Sequence, residues 1–396
     1  MFDDYSSPEK RQVNGAAVQV FSAPIVTAPP HGFRGGVVLG DGREDSKLRH
    51  SRYWQAVDSF RITPTSSELL KGEYTYWGPY YEHFGHTMAE FVHRIIPSMN
   101  FNFPSKYLLV GDVHIKENKN IKMPTFFKDI LYFMDIDLDN IVIINKDVTV
   151  ENLFICEQGS DFGGGPKSGY LDHLDRFSGR RLEYLMGPPW SMRKVYVSRS
   201  KLRAGGNYLG EQYVESLLRS EGFDIFHPEE CGFVDQMQIY RSAEKLVFAE
   251  GSSCHGIEFF GNQSLSECHI IERRASHREI FSRVFKGRAK KYSILMGAIE
   301  LPTIALDRES GGKLDFLSNT FIPSKRLVRY FRDHGISPFS EFSVDIYHQA
   351  IMKDFDAHVD HRVRSGGGVL DDVNIREIRI ALQALIDIDK AGGYEG

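Results

Sequence analysis

Two stretches of this chain carry residue types whose spacing can do chemistry. In residues 80–100, YYEHFGHTMAEFVHRIIPSMN, the side chains of His83, His86, Glu90 and His93 follow at intervals of three, four and three. On a helix that spacing gathers all four on one face, opposite an apolar stripe of Phe84, Met88, Phe91 and Ile95, so the polar face is expected to turn away from the core. Two chemistries compete for it. Either His86 or Glu90 is a general base that takes a proton from a hydroxyl, or the imidazoles and the carboxylate converge on one metal ion. A solvated helix face with no chemistry is the plain alternative.

Residues 246–261, LVFAEGSSCHGIEFFG, form an apolar strand that stops at a glycine and opens a helix. The first N–H groups of a helix have no partner within it and, with the helix dipole, favour an anion. Gly251, Ser252, Ser253 and His255 therefore read as a phosphate site, and Glu250 either meets a ribose hydroxyl or closes the strand end. The competing reading is a helix cap and nothing more.

The elements around these stretches alternate between strand and helix. Residues 106–113 read as a strand, 125–134 as a helix, and 141–150 and 152–156 as strands. The glycine-rich GSDFGGGPKSG at 159–169 reads as a cleft loop or hinge, since Pro166 stands where a P-loop needs glycine. A helix over 170–186 ends at Gly187, Pro188 and Pro189, which mark a domain boundary. Beyond it, strands at 194–198, 223–226, 246–249 and 269–272 alternate with helices at 208–220, 234–242 and 252–260, the order of half a doubly wound sheet. Ligands of such sheets bind past the carboxyl ends of the strands, where Arg199, Gly251 and the turn at Arg273 and Arg274 fall. One edge strand is expected within 16–26 and helices at 324–333, 343–359 and 374–389. The last carries a stripe of Ile375, Ile378, Ala381, Leu382 and Leu385 that packs on the body or forms a homodimer contact. His358, Asp360 and His361 read as surface.

Composition bounds the function. A chain of 396 residues is long for one core. Its 41% apolar and 26% charged content is that of a soluble globular protein, and a net charge of −5 argues against a nucleic-acid partner. Four separated cysteines with no CxxC pair indicate neither a zinc site nor a disulfide framework. With a polar N-terminus and no apolar run of membrane length, a cytoplasmic protein is expected, with peripheral attachment to the inner membrane left open.

The ordered segments HFGHTMAEFVHR, VYVSRSKLR, GEQYVESLLRSEGFDIFHPEECGFVDQMQIYRSAEKLVFAEGSSCHGIEFFG and IIE resemble glycosyltransferase family 61, the group found among bacterial capsular polysaccharide proteins and plant xylan transferases. The resemblance runs from about Tyr80 to Arg274. It implies an α/β, GT-B-like fold of two facing Rossmann-like domains with a helical C-terminal extension. Residues 1–189 would be the acceptor-side domain, 190–305 the nucleotide-sugar domain and 306–396 the extension. It also implies an inverting enzyme that requires no metal or other cofactor. Gly85, His86 and Glu90 match the family's GHxxxE element, Ser198 and Arg199 its SR, Gln236 the glutamine of its EQ segment, and Gly251, Ser252 and His255 its GSxxH. The chain departs from the family at His83, Gly210 and Gly256, where asparagine is usual, and at Thr87, where tryptophan is usual.

The resulting expectation is a hexosyl- or pentosyltransferase that moves a sugar from a nucleotide sugar to a glycan or lipid-linked glycan acceptor in surface or capsular polysaccharide synthesis. His86 or Glu90 is the catalytic base, and Arg199, Gln236, Glu250, Gly251, Ser252, Ser253 and His255 hold the donor. Three rivals stand beside it: a metal-dependent hydrolase built on His83, His86, Glu90 and His93, a nucleotide-binding protein without turnover, and a transferase whose metal sits on the DIDLD run at 135–139. That run lies between a helix and a strand, where acidic residues make a polar turn, and the turn is the reading adopted.

Overall fold

The computed structural model describes residues 11–13, 16–22, 25–27, 36–38, 49–57, 68–99, 103–111, 123–191, 193–202, 205–307, 310–365, 368–369 and 372–394. Short, nearly continuous apolar runs become parallel strands covered on both faces. In the first half, β1 (Leu69–Pro79), β2 (Tyr107–Val110), β3 (Ile141–Ile144) and β4 (Val148–Cys156) pair in parallel in the order β4-β1-β2-β3. Strands Ala16–Ser22 and Ile25–Thr27 add to β4 antiparallel, but Arg11–Val13 and Gly36–Val38 pair with their outer sides, so the strand expected at an edge is present as two pieces that are not the edge. The break before β4 falls at residues 145–147, earlier than the expected Glu151, because Asn145, Lys146 and Asp147 supply the polar turn.

The second sheet holds β5 (Arg193–Val197), β6 (Phe223–Phe226), β7 (Ala243–Ala249), β8 (Leu265–Ile271) and β9 (Ala289–Leu295), all parallel, in the order β6-β5-β7-β8-β9. The chain reverses its direction of progress between β5 and β7. A crevice opens at such a switch point, past the carboxyl ends of those two strands.

Alternate residues of these strands feed two cores. Val195, Val197, Phe248 and Ile270 face one, and Tyr196, Val247, Ala249 and Ile271 the other. The first core is continuous with the helices of the first half, α1 (Phe84–His86), α2 (Val92–Ser98), α3 (Thr125–Met134) and α4 (Tyr170–Met186). Phe133 on α3 meets Phe233 at 5.5 Å and Phe259 at 5.1 Å, both edge to face. Each such buried ring contributes roughly 1.5–3 kcal/mol, so an apolar contact ties the two sheets together on this side.

The remaining helices of the second sheet are α5 (Glu211–Ser220), α6 (Phe233–Ser242) and α7 (Arg278–Phe285), and a 3₁₀ segment, Ser252–Phe259, follows β7. Helix α5 starts after the expected residue 208, at Glu211, because Gly210 with its left-handed φ of 84° precedes the first turn. The C-terminal helices α8 (Ser324–Asp333), α9 (Val344–Arg364) and α10 (Asp372–Lys390) cover the second core. Helix α10 packs on the body through Ile375, Ile378, Leu382 and Ile386, while Ala381 faces solvent. His358 is buried and not on the surface, because α9 turns that residue toward α5. Among the described residues no helix is long and apolar enough to cross a membrane.

Candidate active site between the two sheets

The helix expected over 80–100 is interrupted. Between α1 and α2 lies a π-helical turn, Thr87–Phe91, in which the Val92 N–H reaches back to the Thr87 carbonyl. One extra residue in a turn sets back everything after it by about 100°. The four-residue face therefore does not survive: His83 is exposed, His86 half-buried, and Glu90 and His93 fully buried. His93 belongs to another cluster, with its Nδ1 3.0 Å from the Tyr170 hydroxyl and its Nε2 3.4 Å from Glu258. The metal-ligand reading of the face is lost with it. Among the described residues no group of three or more His, Cys, Asp or Glu side chains is arranged to hold a metal.

Glu90 is engaged on both oxygens. Its Oε2 accepts from His50 Nε2 at 2.8 Å and Arg52 Nε at 2.8 Å, and its Oε1 faces Arg52 Nη2 at 2.9 Å and His86 Nδ1 at 2.6 Å. Burial alone would raise this carboxyl, yet the His50, His86 and Arg52 hydrogen bonds hold it well below the usual carboxylate range. A carboxylate so satisfied is a poor proton acceptor. It instead fixes the proton of His86 on Nδ1, which puts the basic lone pair of the neutral ring on Nε2.

The second wall is the switch point itself. Arg199 follows β5, and its backbone N–H is anchored 2.8 Å from Glu211 Oε1. Its guanidinium lies directly against Gly251 after β7: a Cβ there would sit 2.0 Å from Arg199 Nη1. Gly251 has an extended φ of 172°, which any residue adopts, so it is the space that demands glycine. Arg273 and Arg274 follow β8 and are positioned by Glu250, whose Oε2 accepts from their backbone N–H groups at 2.6 and 2.7 Å. Burial together with the charges of Arg199 and Arg274 pushes Arg273 down to about 9. Three guanidiniums crowd one another where an anion would relieve them.

The two walls meet at Gly85. A side chain on it would come within 3.2 Å of the His255 ring, so the lack of one lets α1 approach the 3₁₀ segment. Tyr81, His83 and His86 from the first half face Arg199, His255 and Arg274 from the second across a cavity of about 560 Å³. Phe162, from the glycine-rich loop, closes one side, with its ring 5.9 Å from His86 and 6.0 Å from His255. The cleft-loop reading of 159–169 fits this placement. His255 has a carboxylate of its own: Nδ1 lies 3.2 Å from Glu258 Oε1, and Glu258 is 3.2 Å from the buried Arg288. Despite burial, Arg288, His255 and His93 draw Glu258 down to about 2.

Of the residues expected to hold a donor, Arg199, Gly251, Ser252 and His255 line this cavity. Gln236 and Ser253 do not; they line a second cavity of about 580 Å³ that shares Arg199 and Ser252 with the first. Gln236 also donates to the Tyr240 hydroxyl at 3.0 Å, and a Cβ on Gly256 would come within 2.7 Å of its amide. Glu250 lines neither cavity; Arg273, Arg274 and His277 engage its buried carboxylate, which positions the turn after β8. In the DIDLD run, Asp137 accepts from the Asp139 N–H at 3.0 Å and Asp135 ends α3, so the run is the polar turn. No motif signals His50 and Arg52, and His277 is a further cavity residue without one.

A parallel sheet with its switch-point crevice lined by arginines, facing a histidine and carboxylate from a second sheet, makes this an α/β protein with a cationic cleft between its sheets. Residues 84–265 match the family model for glycosyltransferase 61, and over that span the chain is similar to this family. The span includes His86, Glu90, Arg199, Gly251 and His255. No curated protein matches the chain.

Proposed function

We propose that this protein is an inverting glycosyltransferase of GT-B architecture that moves a sugar from a nucleotide sugar to a hydroxyl of a glycan or lipid-linked glycan, in cytoplasmic synthesis of a surface or capsular polysaccharide. The observation that carries the reading is that His86 and Arg199, from different halves of the chain, line one cavity.

Inversion needs a base on one side of the anomeric carbon and positive potential on the other. His86 Nε2 takes the proton of the acceptor hydroxyl as its oxygen bonds to the anomeric carbon. The bond from that carbon to the diphosphate breaks with its electron pair going to the phosphate oxygen. Arg199, Arg274 and His255 meet the charge that grows there, in place of a metal ion, and charge-assisted bonds of this kind are among the stronger polar contacts. Glu90 is the orienting group, a division of labour resembling the carboxylate and histidine of a catalytic triad.

The test is release of free nucleoside diphosphate from a panel of nucleotide sugars, with EDTA or with manganese, and the anomeric configuration of any product by NMR. EDTA-insensitive release with inversion supports the reading. Release that requires manganese, or a product of retained configuration, contradicts it. Nucleotide binding with no release from any donor supports the nucleotide-binding protein without turnover.

A further inference from the structure

We propose that a third cavity, between α5 and α9, binds a small primary ammonium compound and couples it through Glu211 to the anion site at Arg199. Only the coupling rests on the transferase reading above. The cavity measures about 280 Å³, just below the roughly 300–1,000 Å³ of sites for drug-sized ligands, so its occupant is smaller. Its walls are the loop after Arg199, with Ser200 and Asn207, the start of α5, with Glu211 and Gln212, and α9, with Asp354 and Ala357. It shares no lining residue with either cavity described above.

The walls present acceptors in excess of donors. Glu211 is 1% exposed, and its Oε1 accepts from the Arg199 N–H at 2.8 Å, the Tyr196 hydroxyl at 3.0 Å and the Ser198 hydroxyl at 3.1 Å. Its Oε2 is buried with no hydrogen-bond partner among the described residues, and so is Asn207 Oδ1. Asp354 accepts from the Gly210 N–H at 2.8 Å through Oδ2 and brings a second carboxylate to the same cavity. Buried acceptors left unpaired are costly, and a primary ammonium supplies three N–H donors and no acceptor. Charge selects it over a neutral donor. Burial, with the charge of Glu215 added, pushes Glu211 up to about 7 and Asp354 up to about 6, and a cation in the cavity relieves both. Of the chain's own basic groups here, Lys353 is exposed at the rim and His358 is buried in the wall. Among the described residues no three His, Cys, Asp or Glu side chains are set to hold a metal, so an N–H cation is the better fit. A cation at Oε2 keeps Glu211 charged while Oε1 holds the Arg199 backbone, and it adds positive potential beside the anion site. Ammonium and anion should therefore favour each other, by the same factor in both directions.

The experiment titrates the full chain with ethylammonium chloride, or with tetramethylammonium chloride at the same concentrations, and reads the melting temperature. A ligand that binds only the folded state raises it. The expected result is a saturable rise with ethylammonium and none with tetramethylammonium, which carries the charge but no N–H. Two variants alter the cavity without touching Arg199 or His86. Ala357→Phe fills it from an exposed position on α9, and Asp354→Asn removes a charge while leaving an oxygen for the Gly210 N–H. Each should need at least about tenfold more ethylammonium for the same rise. Equal rises with the two salts, or unchanged responses in both variants, overturn the site. Calorimetric titration of pyrophosphate, with and without saturating ethylammonium, tests the coupling. The wild type should bind pyrophosphate about fivefold or more tightly with the amine present, and Ala357→Phe should show no such change. Pyrophosphate affinity indifferent to the amine overturns the coupling. If pyrophosphate binds in neither condition, the anion-site reading fails along with the coupling, while the melting curves still decide the ammonium site.

Discussion

His86 Nδ1 lies 2.6 Å from Glu90 Oε1, and the same carboxylate receives His50 and both ends of the Arg52 fork. Replacing Glu90 with glutamine keeps the shape but removes the charge that fixes the His86 proton on Nδ1. We predict that Glu90→Gln lowers kcat by about 10²–10⁴-fold, the range seen when a base is lost or its tautomer is wrong. The nucleoside diphosphate Kd, measured by calorimetry, should not change. A parallel loss of nucleotide affinity would show that Glu90 holds up the donor site as a whole.

The carboxyls of Glu250 and Glu258 are both drawn down to about 2, against burial: Glu250 by His277, Arg273 and Arg274, and Glu258 by Arg288, His255 and His93. A folded-state value below the unfolded one means more protons bound in the unfolded chain at acid pH. Their stabilisation is therefore complete above about pH 4.5 and is lost as the pH falls from there toward 2. The melting temperature should drop steeply across that window. In Glu258→Gln it should start lower at pH 7, with Arg288 left unpaired, and drop less on acidification.

Glu211 behaves in the opposite sense. Burial, aided by the charge of Glu215, pushes it up to about 7 even though the Arg199 N–H bonds to it. Here the folded state holds the proton longer than the unfolded chain, so stability declines as the pH rises from about 4.5 to 7. Glu211→Gln keeps an acceptor for the Arg199 N–H and removes the buried charge. It should raise the melting temperature more at pH 8 than at pH 5; an equal change at both would contradict the assignment.

Much of the second half is legible in the sequence because buried parallel strands appear as apolar runs punctuated by glycine. Arg199, Gly251 and the Arg273–Arg274 pair therefore fall at strand ends where the pattern puts them. Two features are not legible for physical reasons. A π turn adds one residue to a helix without disturbing its apolar stripe locally, so the periodicity that grouped His93 with Glu90 carries no warning of it. His50 and Arg52 reach Glu90 from 40 and 38 residues away by tertiary contact alone, with no motif around them. Glu250, beside the glycine of a phosphate-type turn, looks like a ribose ligand in sequence; only the fold shows two backbone N–H groups pointing at it.

Gly251→Ala tests the contact between the glycine and the arginine. The added methyl meets the guanidinium at 2.0 Å and no backbone strain, so Arg199 must swing aside. The fold should be kept, with a melting temperature within a few degrees of wild type, while donor turnover falls by about tenfold or more, equivalent to roughly 1.4 kcal/mol of lost transition-state stabilisation. A full-activity Gly251→Ala protein would mean that the observed guanidinium position is not the working one.

The most direct test of a glycosyl-transfer site between the two sheets is the rate of nucleoside diphosphate release from the preferred nucleotide sugar by wild type, Arg199→Ala and His86→Ala. The account predicts that both variants lose at least about 100-fold in kcat/KM, near 2.7 kcal/mol. It further predicts that Arg199→Ala weakens nucleoside diphosphate binding while His86→Ala leaves it intact. Undiminished release by Arg199→Ala would contradict the central claim.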